Sequence, residues 1–111
     1  MQPAKKYLGI EIGGTKLQLL VADADGHIEQ SLRYTIAAAA GAESIRSQIS
    51  GNLKDLNSFN EIAAIGVGFG GPVDWKTGTI RISHQVTGWA NFNLSKWLNE
   101  ITGKPVAVEN D

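Results

Sequence analysis

Residues 7–22 read YLGIEIGGTKLQLLVA, in which two apolar runs lie on either side of a Gly-Gly-Thr segment. The runs 7–12 and 16–22 favour strands, and the three residues between them suit a tight reversal. We therefore predict an antiparallel hairpin. A second turn signal, Asp-Ala-Asp-Gly, leads into a third predicted strand over residues 27–35, which completes a three-stranded meander.

Two stripes of apolar residues with helical spacing follow the meander. The first covers residues 42–56 and is weakened by Gly51, because glycine disfavours helix by about 1 kcal/mol relative to alanine. The second stripe consists of Leu94, Trp97, Leu98 and Ile101. It predicts a helix with Asn93 as its N-cap and Gly103 at its end.

Strands are predicted between and after these helices. Residues 62–68 form a continuous apolar run, which is typical of a strand buried on both faces. A weaker strand is expected over 79–83, and the last strand covers 106–108. An antiparallel meander followed by right-handed βαβ crossovers predicts an α/β fold with the mixed sheet of the ribonuclease-H-like arrangement.

The composition of the 111-residue chain excludes several classes of protein. Ten Lys and Arg residues against eleven Asp and Glu residues give a net charge of −1, which provides no bulk attraction to nucleic acid or to an anionic membrane. The longest uncharged apolar run is far shorter than the about 18 residues that a membrane span needs. The absence of cysteine excludes disulfides and thiolate metal sites, and it favours a cytoplasmic location.

Three glycine-rich or polar clusters come directly after predicted strands. They are EIGGTK at 11–16, GFGGP at 68–72 and END at 109–111. Ligands of open α/β sheets gather at the carboxyl ends of strands, so we expect these three clusters to meet at one edge of the sheet.

The first cluster has the composition of an anion site. Backbone N–H groups around Gly13 and Gly14 can form an anion-binding concavity, to which Thr15 adds a hydroxyl and Lys16 a cation. The spacing is not that of a Walker P-loop, which precedes a helix. The alternative is a plain hairpin turn with a solvated lysine.

Glu11, Asn110 and Asp111 are the polar side chains that could act with this turn. A carboxylate at Glu11 is costly on a largely apolar sheet unless it is paired, hydrated or near a cation, and beside a phosphate it could hold Mg²⁺. Asn110 offers a donor and an acceptor to a hydroxyl-rich ligand, and Asp111 is a competent base for a substrate hydroxyl. The alternatives are a solvated Glu11 and an ordinary turn at Asn110 and Asp111.

The motif GIEIGGTK at 9–16 resembles the phosphate-binding opening of the ROK family (repressors, open reading frames and sugar kinases), which lies within the actin, hexokinase and Hsp70 superfamily. The resemblance spans almost the whole chain and continues in the family's order through IGVG at 65–68, GPVD at 71–74, TG at 77–78, GW at 88–89 and VEND at 108–111. It implies an actin-like ATPase fold. It also implies that residues 1–111 are a single domain, the N-terminal lobe of a two-lobed kinase without its C-terminal lobe.

The resemblance also implies roles for individual residues. The phosphates of ATP would lie against Gly13, Gly14, Thr15 and Lys16. Glu11 stands where the family usually has an aspartate associated with Mg²⁺, and some fructokinase-like members are similar to this chain in having glutamate there. The sugar would be bound by Gly71, Asn110 and Asp111, with Asp111 as the general base.

The activity implied by the resemblance is that of an ATP-dependent hexose kinase, which transfers the γ-phosphate of ATP to a sugar hydroxyl. We expect this lobe alone to be inactive, to contact neither nucleic acid nor membrane, and to belong to a homodimer. The alternative within the same family is a sugar-sensing transcriptional regulator. The stretch SHQVTGW at 83–89 departs from the Asn-Leu-Pro-Gly-Trp of glucokinase-like members, so the identity of the sugar stays open.

The remaining histidines and tryptophans have structural interpretations. His27 and His84 lie far apart in the sequence, so we predict no zinc site in this segment, although the second lobe of family members usually has a zinc motif. We interpret Trp97 as part of the core and His84 as a loop residue, with a sugar ligand as the alternative for His84. Trp89 is expected to pack beneath a loop, and the alternative is that its ring forms one wall of a sugar pocket.

Overall fold

The computed structural model describes residues 5–83 and 86–111. In chain order its strands and helices are β1 (Lys6–Ile12), β2 (Lys16–Asp23), β3 (Ile28–Thr35), α1 (Gly41–Asn52), β4 (Ile62–Phe69), β5 (Val73–Asp74), β6 (Thr79–Ile80), α2 (Leu94–Thr102) and β7 (Val106–Asn110). One sheet has the order β3-β2-β1-β4-β7, and β5 and β6 form a separate two-stranded sheet. The prediction for His84 concerns a position outside the described residues.

The first three strands form the predicted antiparallel meander. Ile12 pairs with Leu17 at the closed end of the first hairpin, where the Gly13 N–H donates to the Lys16 carbonyl at 3.0 Å. The β2 strand continues antiparallel to β3, and the Ile36 N–H donates to the Thr15 carbonyl at 2.8 Å. The hairpin prediction is confirmed.

Two crossover connections build the parallel half of the sheet. The β4 strand lies parallel to β1, and β7 lies parallel to β4. Each connection contains a helix, as parallel neighbours require. The mixed sheet of the ribonuclease-H-like arrangement is therefore confirmed.

Both helices contribute to the same hydrophobic core. Ile45 and Ile49 of α1 join Leu94 and Leu98 of α2. Because side chains alternate along a strand, the sheet supplies this core from one face, with Leu8, Ile10, Ile12, Leu17, Leu19, Val21, Ile65, Val67, Phe69 and Val108. Burial of each such side chain stabilises the fold by about 1.5–3 kcal/mol.

The α2 helix begins and ends where the sequence predicts. The Asn93 side chain accepts the Lys96 N–H at 2.9 Å, which is an N-cap bond. Gly103 has a φ of 73°, and its N–H donates to the Asn99 carbonyl at 2.7 Å. A left-handed residue after the last turn is the usual end of a helix, and glycine adopts it without strain.

The α1 helix is shorter than predicted. Residues 42–56 were expected to form one helix, but α1 ends at Asn52 and a short 3₁₀ turn follows at Leu53–Asp55. Gly51 and Asn52 both have low helix propensity, so the last predicted turn tightens. Leu53 and Leu56 are still buried, because the tighter turn continues along the core.

Two strand predictions need correction. Burial alternates along β4, and Gly66 is exposed, so the strand over 62–68 is buried on one face rather than on both. The sequence does not reveal this alternation, because the residues on the less buried face of β4 are alanine and glycine, which are also apolar. The weaker strand predicted over 79–83 is limited to Thr79–Ile80, which pairs with Val73–Asp74.

Trp89 lies beneath a loop, as predicted, and is 1% exposed. Its ring makes edge contacts with Phe69 and Phe92, with ring centroids 5.2 Å and 5.8 Å away. The Arg46 guanidinium of α1 lies 5.2 Å from the Trp89 centroid and 4.1 Å from the Phe92 centroid.

Trp97 is partly buried against the core, which confirms its interpretation as a core residue. Within the described residues, no helix has both the length and the apolar character needed to cross a membrane.

Replacing Gly51 by alanine tests the account of α1. Gly51 is helical and a Cβ atom there would meet nothing within 4 Å, so we expect Gly51→Ala to raise the free energy of unfolding by about 0.4–1 kcal/mol. Urea unfolding measures this change. The matched control is Gly103→Ala, which must destabilise because φ at residue 103 is positive. A loss of stability in Gly51→Ala would contradict the account.

Candidate active site

The three clusters predicted from the sequence meet at the carboxyl ends of β1, β4 and β7. The Gly70 N–H donates to the Ile12 carbonyl at 2.9 Å, which joins the first two clusters. The Asp111 N–H donates to the Phe69 carbonyl at 2.8 Å, which joins the second and third. These backbone bonds continue the parallel pairing beyond the strands and hold the side chains at one edge of the sheet.

Glu11 projects across β4 because the residue beside it is a glycine. Glu11 pairs with Gly68, and a Cβ atom at residue 68 would lie 2.8 Å and 3.0 Å from the two carboxylate oxygens of Glu11. Any side chain at residue 68 would therefore displace this carboxylate. Gly68 has a structural role at the site that the sequence-based assignment of ligands missed, although its place at the end of an apolar strand was a signal.

The Glu11 carboxylate faces that of Asp111. Partial burial raises the pKa of Glu11 above its usual value. A hydrogen bond with the Asp111 carboxyl group and the negative charge of Asp111 raise the pKa of Glu11 further. Two carboxylates within hydrogen-bonding reach repel each other unless a proton or a cation lies between them. The pair lines a concavity of about 310 Å³ together with Gly68, Glu109 and Asn110.

Asn110 and Gly71 are direct neighbours. The Asn110 side-chain amide donates to the Gly71 carbonyl, which directs the amide nitrogen away from any ligand and leaves the side-chain oxygen as the acceptor. A Cβ atom at Gly71 would meet the Ile82 carbonyl at 2.9 Å and the Phe69 ring at 3.2 Å, so the turn packs tightly here. The three residues predicted to bind sugar, Gly71, Asn110 and Asp111, therefore lie together.

The Gly-Gly turn lies beside this concavity rather than lining it. Gly13, Thr15 and Lys16 are exposed at the same edge, and the Gly13 α-carbon lies 3.7 Å from the position of a Cβ at Gly70. The Gly13 N–H already donates to the Lys16 carbonyl, so it is not free for a ligand. Gly14 is half-buried. Contact of Gly13, Gly14, Thr15 and Lys16 with phosphates stays a prediction.

Glu109 belongs to the third cluster, but the sequence predicts no role for it. It is exposed and pairs with Gly68 across the β4–β7 ladder, so it lies on the same face as Glu11. The signal for it was the period of two along β7, because Ala107 and Glu109 share the face opposite to the buried Val108.

A meander joined to βαβ crossovers, with carboxylates at the ends of the parallel strands, is the architecture of the actin-like ATPase fold. The ROK family model matches residues 7–111, and the chain belongs to the ROK family. The β-glucoside kinase of Listeria innocua serovar 6a is 36% identical over 107 residues, which cover 96% of this chain and 35% of that kinase. The glucokinase of Thermotoga maritima is 28% identical and matches 98% of this chain and 34% of its own length.

A solved structure has the same arrangement of strands and helices. The ROK family glucokinase from Streptomyces griseus, in complex with glucose and AMPPNP, matches with a TM-score of 0.82 and 28% identity. The match covers 95% of this chain and 33% of that protein. The chain thus spans about a third of the length of the kinases that it resembles.

Replacing Glu11 by glutamine removes one of the two facing carboxylates. The pKa of Glu11 is raised in the folded chain, so between its ordinary value of 4.5 and the raised value the folded state binds the proton more tightly than the unfolded state. Stability therefore falls as the pH rises through this interval, and the penalty persists at neutral pH. Without divalent cations, we expect Glu11→Gln to have a higher thermal midpoint than the parent chain at pH 7 and an equal one below pH 4.5.

Thermal unfolding in EDTA across this pH range measures the difference. The matched control is Glu100→Gln, which changes an exposed carboxylate on α2 and should leave the profile unaltered. Parallel profiles for Glu11→Gln and the parent chain would show that Glu11 and Asp111 do not interact.

Proposed function

We propose that this chain is the N-terminal lobe of an ATP-dependent hexose kinase. The observation that carries the proposal is the convergence of Glu11, Asn110 and Asp111 on one concavity at the carboxyl edge of the sheet. Membership of the ROK family and the sugar kinases among its relatives support the same activity. The experiments on the complete kinase use the full-length polypeptide that contains this chain, or a chimera in which the chain replaces the matched third of the Listeria innocua β-glucoside kinase.

Asp111 is the proposed general base. Its carboxylate accepts the proton of a sugar hydroxyl while the hydroxyl oxygen forms a bond to the γ-phosphorus of ATP, and the bond from that phosphorus to the β-phosphate bridging oxygen breaks to release ADP. The hydrogen bond from the Asp111 N–H to the Phe69 carbonyl fixes the backbone position from which the Asp111 carboxylate projects. Positioning of this kind supplies most of the catalysis in phosphoryl transfer.

Asn110 and Gly71 would orient the sugar. With its amide nitrogen bonded to the Gly71 carbonyl, Asn110 presents its oxygen as an acceptor for a sugar hydroxyl. Such a bond distinguishes a hydroxyl-bearing ligand from an apolar one of the same shape, because an unpaired polar group would otherwise be left at the site. The sugar's identity is not fixed by these contacts.

The donor set of the concavity fits Mg²⁺. Glu11 and Asp111 provide carboxylate oxygens, which are the hard ligands that Mg²⁺ prefers, and their mutual repulsion favours a cation between or beside them. When bound, the ion would neutralise charge on the transferred phosphoryl group. Glu11 is the residue proposed to hold it, directly or through water, and the exposed turn Gly13–Lys16 is proposed to contact the phosphates.

Asp111→Asn in the complete kinase tests the role of the base. We expect the turnover number to fall by about 10²- to 10⁴-fold, because asparagine cannot accept the hydroxyl proton. Sugar binding should be retained, since the amide keeps the shape of the side chain. Coupled measurement of ADP release gives the turnover number, and ligand-induced thermal shift reports sugar binding.

The matched control for this experiment is Glu100→Gln on the exposed face of α2, which should retain full turnover. Turnover of Asp111→Asn within about tenfold of the parent kinase would exclude Asp111 as the base. A complete polypeptide that binds sugar but never releases ADP would instead favour a sugar-responsive regulator.

The 111-residue chain alone should have no measurable kinase activity. The site lies at an open edge, and phosphoryl transfer requires lobes that close around both substrates and exclude water. We expect ADP release with ATP, Mg²⁺ and glucose to equal that of a blank reaction. Sugar-dependent ADP release by the chain alone would contradict the two-lobe proposal. The cytoplasmic location and the homodimer stay predictions.

A further inference from the structure

Glu11 has a neighbour in the sheet on each side, and the two neighbours differ in size. On the β2 side it pairs with Gln18, whose side-chain amide donates to the Ser31 hydroxyl at 3.2 Å. On the β4 side it pairs with Gly68, which has no side chain. Residues paired across strands project from the same face of a sheet, so the β4 side offers Glu11 the more room. The Glu11 carboxyl group lies over Gly68 and forms a hydrogen bond with the carboxyl group of Asp111.

The backbone does not explain why residue 68 is a glycine. Its φ lies outside the left-handed region, so other amino acids can adopt the same conformation. Of the described residues, the three heavy atoms nearest to a Cβ at residue 68 all belong to the Glu11 carboxyl group, at 2.8 Å, 3.0 Å and 3.1 Å. A side chain at residue 68 would therefore act first on Glu11.

A methyl group at residue 68 would cost the fold little. The atoms that it meets are the end of a flexible side chain, which can turn away by rotating about its single bonds. Alanine is also less unfavourable than glycine inside a strand, because it loses less backbone entropy on folding. The rotation would, however, carry the Glu11 carboxylate away from Asp111. Gly68 thus secures the position of a carboxylate rather than the stability of the sheet.

Glu109 lies on the other side of Gly68 and provides a comparison. It pairs with Gly68 across β7 and is exposed, but none of its atoms is among the three nearest to a Cβ at residue 68. Of the two glutamates that flank Gly68, the one on β1 is therefore the one whose carboxylate depends on the missing side chain.

We propose that Gly68 is a positioning residue, which keeps free the space through which the Glu11 side chain carries its carboxylate to Asp111. The inference rests on the proposed kinase function, in which Asp111 is the base and Glu11 holds the cation. The length of the side chain at residue 11 and the empty space at residue 68 then act as one unit. An aspartate at residue 11 is one methylene shorter and extends less far over β4, so a methyl group at residue 68 should leave it in place.

Four versions of the complete kinase test this coupling: the parent, Gly68→Ala, Glu11→Asp and the double variant. We expect Gly68→Ala to lower the turnover number at least about tenfold, because misplacing a group at the site by about 1 Å can cost about a hundredfold in rate. In the Glu11→Asp background the same replacement should change turnover by less than about twofold. Gly51→Ala, the same replacement on the exposed face of α1, is the control and should retain full turnover.

Two kinetic outcomes would overturn the proposal. An equal loss of turnover in both backgrounds would show that Gly68 acts independently of Glu11, since independent sites have additive effects. Unchanged turnover in Gly68→Ala would show that catalysis does not need the Glu11 carboxylate where it lies.

The thermal midpoint separates positioning from a role in folding. In the 111-residue chain, Gly68→Ala should keep the midpoint of the parent or raise it. Gly66→Ala is the matched control, because it makes the same replacement on the same face of β4, where a Cβ meets none of the described residues within 4 Å. It should raise the midpoint slightly. A fall of several degrees in Gly68→Ala alone would assign Gly68 to stability and overturn the proposal.

Crystal structures of the chain keep this proposal apart from the kinase itself, and they give an answer even where Glu11→Asp is inactive. In Gly68→Ala the Glu11 carboxylate should lie beyond hydrogen-bonding reach of Asp111, whereas the aspartate of the double variant should lie as in Glu11→Asp. That result in a polypeptide that never phosphorylates sugar would support the positioning role and contradict the kinase. An active kinase whose Gly68→Ala variant keeps Glu11 beside Asp111 would contradict the positioning role alone.

Discussion

The parallel register of β1, β4 and β7 is the constraint on which the candidate site depends. Glu11 lies beside Gly68 and Gly68 beside Glu109, and two backbone bonds from Gly70 and Asp111 extend that pairing past the strand ends. A slip of one residue in β7 would move the Asp111 side chain to the face of the sheet opposite to Glu11, because side chains alternate along a strand. The facing carboxylates of Glu11 and Asp111 are therefore a consequence of strand pairing, and their repulsion is a cost that the sheet sustains.

The other face of the same strand ends is supported by aromatic packing. The Phe69 ring contacts Trp89, and Trp89 in turn contacts Phe92 and lies near the Arg46 guanidinium. Burial lowers the pKa of Arg46, but arginine remains charged at any pH at which the protein folds, so its attraction to the rings persists. Because the Phe69 carbonyl receives the N–H groups of Gly71 and Asp111, this cluster fixes the backbone from which the site's polar side chains project.

The elements that could be predicted from the sequence are those with a local cause. The period of two in β1 and β2, the Asn93 cap and the Gly103 stop each depend on neighbouring residues, and each lies where it was predicted. The one-sided burial of β4 was missed, because alanine and glycine fit both the exposed and the buried face. The shortening of α1 was missed because Leu53 and Leu56 keep the apolar spacing through the 3₁₀ turn. The contact of Glu11 with Asp111 joins residues 100 positions apart in the sequence, so the order of clusters could suggest the contact but could not give its geometry.

Glycines of this chain serve at least two different roles that the sequence alone cannot separate. Gly78, Gly88 and Gly103 have positive φ and serve the backbone itself. Gly68 instead makes room for a neighbouring side chain, and Gly66 keeps free a space that nothing in the described residues fills. The two β4 glycines face the same side of the sheet, and both line the concavity of Glu11 and Asp111. The β4 strand therefore buries Ile65, Val67 and Phe69 on one face, while the glycines between them leave room for the Glu11 carboxylate on the other.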